Sequence, residues 1–100
     1  MNITTTEIDE NSCILTIDGR LDVKAAREAE EAFADAAEKY NDITLDMENL
    51  DYIASAGLRV LKRLVGYTKS NGGSLVVKNV SENVMEVLEM TGFAVMLNFA

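Results

Sequence analysis

Residues 43–77, ITLDMENLDYIASAGLRVLKRLVGYTKSNGGSLVV, read as a strand, a helix and a second strand. In Ile43-Thr44-Leu45-Asp46-Met47 the apolar residues recur with period two, the signature of a strand with one face buried. Glu48-Asn49-Leu50-Asp51 reads as a loop, and Tyr52-Ile53-Ala54 as a short extended segment or a lead-in turn. Ser55 is a good helix N-cap, because its hydroxyl accepts a bond from an otherwise unpaired backbone N–H. From Ala56 the period becomes helical: Leu61, Leu64, Val65 and Thr68 fall on one side, with Val60 and Tyr67 adjoining. Gly66 inside that helix costs about 1 kcal/mol against alanine. Asn71-Gly72-Gly73 ends it, since glycine accepts the left-handed conformation found past helix termini. Leu75-Val76-Val77 is short and wholly apolar, which predicts a strand covered on both faces.

The same alternation extends outward. Upstream, Ile3–Ile8 and Cys13–Asp18 are strand-like, and Asp9-Glu10-Asn11-Ser12 between them has turn chemistry, which predicts an antiparallel hairpin. Gly19-Arg20-Leu21 leads to Asp22, an N-cap for a helix whose apolar stripe runs through Ala26, Ala29, Phe33, Ala36 or Ala37, and Tyr40. Lys24, Arg27, Glu31, Asp35 and Glu38 take the opposite side. A stripe made mostly of alanine lets this helix approach a sheet closely. Downstream, Ser81 caps a third helix, with Val80 and Met85 placed as a hydrophobic staple. Val84, Val87, Leu88 and Thr91 form its buried stripe. Gly92 stands at the helix end with Phe93 placed to touch Leu88, and Ala94–Phe99 reads as a last strand. The order is ββαβαβαβ. It predicts an α/β domain with a mixed, mainly parallel sheet packed with helices, the opening hairpin supplying the antiparallel part.

Composition bounds the function. One hundred residues make one domain, 1–100, and 48% hydrophobic residues suffice for a core without staples. The net charge of −8 argues against nucleic-acid binding, which needs a surplus of lysine and arginine. There is no apolar run of membrane-spanning length, and Met1-Asn2-Ile3-Thr4-Thr5-Thr6-Glu7 lacks the basic start and apolar core of a signal peptide. A single cysteine, Cys13, permits no internal disulfide. Together these predict a cytoplasmic protein without membrane insertion. With no histidine, Ser-His-Asp and Cys-His nucleophile pairs are absent and transition-metal sites lose their usual ligands. No glycine-rich phosphate loop occurs. Charge is uneven: residues 1–51 carry 14 acidic and 4 basic side chains, residues 52–100 carry 3 and 5. Arg59, Lys62, Arg63 and Lys69 share one segment without an acid.

Ser55 lies at a helix start between Ala54, Ala56 and Gly57, neighbours too small to shield it. A catalytic serine would need a base, and there is none. Asp46, Glu48 and Asp51 could suggest a Mg²⁺ site, but a receiver-type centre also needs a second acid pair and a late lysine. Loop carboxylates in water are the simpler reading, and no cofactor is expected.

Several segments, in order and at matching spacing, resemble the STAS domain family in its stand-alone bacterial form. They are Gly19-Arg20-Leu21-Asp22, Ile43–Met47, Leu50–Leu61, Gly72-Gly73, Leu75–Ser81 and Met90-Thr91-Gly92-Phe93, and the resemblance spans essentially the whole chain. It implies an anti-sigma factor antagonist, a binding module and not an enzyme. Such a module binds an anti-sigma factor that is also a serine kinase, frees the sigma factor, and is switched off by phosphorylation and reset by a phosphatase. The resemblance places the phosphoacceptor at Ser55 and a partner-binding face at Asp22, Tyr52, Ala54, Ser55, Ala56, Gly57, Leu58, Arg59 and Lys62. In one respect the chain departs from the family pattern: Ala54 stands where an aspartate usually precedes the serine. The alternative implied is a STAS interaction module of a signalling or transport complex that is not phosphorylated.

Overall fold

The computed structural model describes Met1–Ala100. Its elements are β1 (Asn2–Asp9), β2 (Ser12–Leu21), α1 (Val23–Lys39), β3 (Asp42–Asp46), β4 (Leu50–Ile53), α2 (Ser55–Ser70), β5 (Ser74–Lys78), α3 (Glu82–Met90), a 3-10 turn (Phe93–Met96) and β6 (Asn98–Phe99). The main sheet runs β1-β2-β3-β5-β6, with β4 paired to the far end of β2. Only β1–β2 is antiparallel; every other pairing is parallel. The expected mixed, mainly parallel architecture is thus the observed one.

Register places the alternating residues in rows across the sheet. Cys13, Ile43 and Leu75 align, as do Leu15, Leu45 and Val77, and all six are buried. A slip of one residue would turn both rows to the other face, so the burial of these side chains fixes the pairing. Against this face pack the alanine stripe of α1, with Phe33 fully buried, and Leu61, Leu64, Val65 and Thr68 of α2. The Thr68 hydroxyl donates to the Val65 carbonyl at 3.0 Å, satisfying its own buried polar group. The Cys13 thiol lies in this core, and burial pushes its pKa up.

The other face of the sheet differs from expectation. Ile14, Thr44 and Val76 align there and are only half-buried. Val76 is apolar yet only half-buried, so the unbroken apolar run of β5 did not mean two fully covered faces. The end of the chain also differs. Ala94–Phe99 is not one strand: Phe93–Met96 turns as a 3-10 helix and only Asn98–Phe99 pairs with β5. Gly92, at φ 80°, makes the left-handed exit from α3. The turn leaves Val95 exposed and buries Leu97. No helix is long and apolar enough to cross a membrane.

Candidate protein-docking site

The site is built by the parallel pairing of two strand ends. β4 aligns with the last residues of β2, Tyr52 opposite Arg20 and Ile53 opposite Leu21. Leu50 and Asp51, read above as loop, belong to this strand. The pairing continues one residue past β4, where the Ala54 N–H donates to the Leu21 carbonyl at 2.9 Å. Both strands then turn directly into helices. Two helix N-termini, those of α1 after Asp22 and α2 after Ala54, therefore lie side by side at one end of the molecule.

The two ends are finished differently. Asp22 is the N-cap of α1, its Oδ1 accepting from the Ala25 N–H at 2.9 Å, as the sequence predicts. In α2 the N-cap is Ala54, not Ser55; Ser55 is the first helical residue. No side chain caps this helix and no acid lies in its first turn. The Ser55 hydroxyl is therefore not spent on its own helix, and the positive end of the helix dipole is left uncompensated. By contrast, α3 has both a capping serine, Ser81, and Glu82 in its first turn.

The expected partner-binding residues divide by exposure. Tyr52, Ser55, Arg59 and Lys62 are exposed, and Asp22 and Ala54 are half-buried. Ala56, Gly57 and Leu58 are buried, so they support the surface from beneath and do not contribute contact area to it. Gly57 has a strict packing role. A Cβ there would sit 2.7 Å from Leu21 Cγ and 2.9 Å from the Leu21 carbonyl oxygen. The missing side chain is what lets α2 start against the end of β2.

One neighbour escaped the sequence reading. The Arg20 guanidinium lies 4.2 Å from the Tyr52 ring centroid, a cation–π contact between paired residues of β2 and β4. It braces Tyr52 beside Ser55. Its signal becomes visible only when β4 is known to pair in parallel with β2. Asp46, weighed above as a cation ligand, accepts hydrogen bonds from the Glu48 N–H at 3.0 Å and from Asn79 Nδ2 at 3.1 Å, with Lys78 Nζ at 4.0 Å. It is held as a structural acid at the ends of β3 and β5.

Because Ala54 caps α2 through its backbone alone, Ser55→Ala should leave thermal stability within about 0.5 kcal/mol of wild type, the range for surface substitutions. Loss of a working cap would cost ~1 kcal/mol instead. Chemical denaturation of the two proteins separates these values.

A family model described as the STAS domain matches residues 2–100. The chain is 31% identical over 84 residues to the anti-sigma-B factor antagonist of Bacillus subtilis (strain 168), a stretch covering 84% of this chain and 77% of that protein. Among solved structures, the Bacillus cell fate determinant SpoIIAA superimposes in two states. Its unphosphorylated form gives a TM-score of 0.85 at 17% identity, covering 99% of this chain and 88% of that one. Its phosphorylated form gives 0.78 at 16% identity, covering 99% and 91%. At such identities the likeness is one of fold.

Proposed function

The chain belongs to the STAS domain family, and from that premise we propose that it is an anti-sigma factor antagonist: it binds an anti-sigma factor through the Asp22–Ser55 end and releases it when Ser55 is phosphorylated. On this reading it acts by binding and catalyses nothing, works in the cytoplasm, and is reset by a phosphatase. The observation that carries the proposal is the exposed Ser55 at the uncapped start of α2, beside the Asp22 loop.

The chemistry suits a switch. A phosphate adds about −1.5 to −2 charge at neutral pH. At an uncapped helix N-terminus it meets unpaired N–H groups and a favourable dipole, so the modified domain stays folded. The cost falls on the complex, because a dianion enclosed in an interface without a cation is expensive to desolvate. Ala54 supports the second reading, a STAS interaction module without a phosphorylation cycle, since the acid usual at that position is missing.

One experiment separates the two. The protein is incubated with ATP and the serine-kinase anti-sigma factor of its own organism, and the product is mapped by mass spectrometry. The proposal expects one phosphate, on Ser55, and none on Ser55→Ala. Stable binding of the kinase with no phosphate incorporated would favour the second reading.

Asp22 tests the other half of the face. Asp22→Ala should lower stability by ~1 kcal/mol through loss of the cap, whereas Asp22→Asn keeps the cap and removes only the charge. Asp22→Asn is therefore expected to match wild type in denaturation yet bind the anti-sigma factor more weakly by calorimetry. Equal binding by Asn and wild type would reduce Asp22 to a structural cap.

A further inference from the structure

A groove runs between the first turns of α1 and the first two turns of α2, lined by Val23, Arg27 and Glu30 on one side and Ala56, Arg59 and Arg63 on the other. Its charge is opposite to that of the molecule. The chain as a whole carries −8, and its first half is the acidic half, yet three arginines meet here against one acid. Arg63 is engaged by Glu30 across the groove. Arg27 and Arg59 are exposed and make no salt bridge. Glu31, one turn along α1 from Arg27, and Glu28 are exposed on the same helix, and neither they nor the exposed Lys24 and Lys62 line the groove. An apolar side chain, Val23, stands 61% exposed at the mouth. The groove also adjoins the docking site: Arg59 is one helical turn beyond Ser55.

We infer that this groove is the seat of an acidic, amphipathic segment of the protein partner, its carboxylates held by Arg27 and Arg59 and an apolar side chain resting on Val23. The inference rests on the proposed docking of a partner at Ser55 and names the chemistry of what that partner brings. Arginine is suited to the task because its planar fork binds carboxylates in bidentate fashion and is more weakly hydrated than an ammonium group. A peptide is favoured over a nucleic acid because the chain carries −8 overall, so a long polyanion is repelled by the molecule as a whole, whereas a short acidic segment can stay within the groove. The position also couples the groove to the switch. A phosphate on Ser55 would lie four residues before Arg59, the helical spacing at which side chains meet, and would compete with the partner for that guanidinium.

The test uses the isotope-labelled full chain and a short synthetic peptide of alternating glutamate and leucine. NMR titration should shift the amides of residues 23–30 and 56–63 in a saturable way, with an affinity that falls as salt rises. The double substitution Arg27→Glu, Arg59→Glu should weaken binding by about tenfold or more. Both positions are exposed, and circular dichroism checks that the variant is folded. If the double variant is unfolded, Arg27→Gln and Arg59→Gln, each alone, should give a smaller loss of the same sign. Binding of the variants equal to wild type, shifts centred elsewhere, or equally tight binding of an oligothymidylate would each overturn the inference. Since the peptide carries no kinase, this result stands or falls apart from that of phosphate mapping at Ser55.

Discussion

Ser55→Asp should fold as well as wild type and bind the anti-sigma factor about tenfold more weakly, a difference of roughly 1.4 kcal/mol. Folding is spared because the substitution falls at the first residue of α2, where no acid is present and a negative charge is favoured by the helix dipole. Binding suffers because the new carboxylate stands exposed beside the Asp22 loop, and a complex closing over both must desolvate like charges together. The phosphate, with its greater charge, should cost more than the aspartate. Ser55→Asn is the control, since it adds bulk of similar shape without charge. If Asn and Asp weaken binding equally, steric fit and not charge is the switch.

Alanine at Gly57 and at Gly66 should have opposite effects, although the substitution is the same and both sites lie in α2. At Gly57 the new Cβ would meet Leu21 at 2.7 Å and 2.9 Å, and one of the two contacts is backbone. The helix must then move away from β2, at a cost typical of overpacking, about 1–3 kcal/mol. For a domain of this size each lost kcal/mol lowers Tm by roughly 4–8 °C. At Gly66 nothing lies within 4 Å of the added Cβ, and the residue is exposed. There alanine should stabilise by up to about 1 kcal/mol, its advantage over glycine within a helix. The Gly57 variant has a functional effect as well. Displacing α2 separates Ser55 from Asp22, so partner binding should fall even at temperatures where the protein remains folded. A Gly57→Ala protein as stable as wild type would show that the close approach to Leu21 is not the reason for glycine there.

The elements that depend on apolar period were legible in the sequence. The alanine stripe of α1, the stripe of α2 from Leu61 to Thr68 and the rows through Leu15 and Leu45 all stand where the spacing puts them. The Asp22 cap was equally plain, because an acid just before a helical period has one obvious use. Ser55 was misplaced by one position for an instructive reason. Serine is a strong N-cap by propensity, but the start of α2 is set by a tertiary bond, Ala54 N–H to the Leu21 carbonyl, which the local sequence does not show. The hydroxyl that looked like a cap is therefore free. β4 is only half legible: Tyr52-Ile53 reads as extended, but Leu50 and Asp51 read as loop because burial along the strand runs buried, exposed, exposed, buried, with no alternation. The irregularity matches a register shift between Gly19 and Arg20 on the partner strand. The last strand is overread because the apolar run from Ala94 to Leu97 has no marker for the 3-10 turn that carries the chain back to the edge of β5. Arg20 and Arg27 do not stand out in the sequence for a common cause: each has its neighbours on another element, Arg20 the Tyr52 ring of β4 and Arg27 the start of α2.

If the Ser55 hydroxyl is the switch, its modification alone should set the affinity of this domain for its partner. The direct measurement is a calorimetric titration of the anti-sigma factor with a single preparation of the protein in three states: untreated, fully phosphorylated by the kinase, and phosphorylated then treated with phosphatase. Tight binding, a loss of about tenfold or more and full recovery are expected in turn, with Ser55→Ala binding tightly whether or not it has met the kinase. Unchanged affinity after complete phosphorylation of Ser55, or the same loss in Ser55→Ala after kinase treatment, would rule out this hydroxyl as the switch.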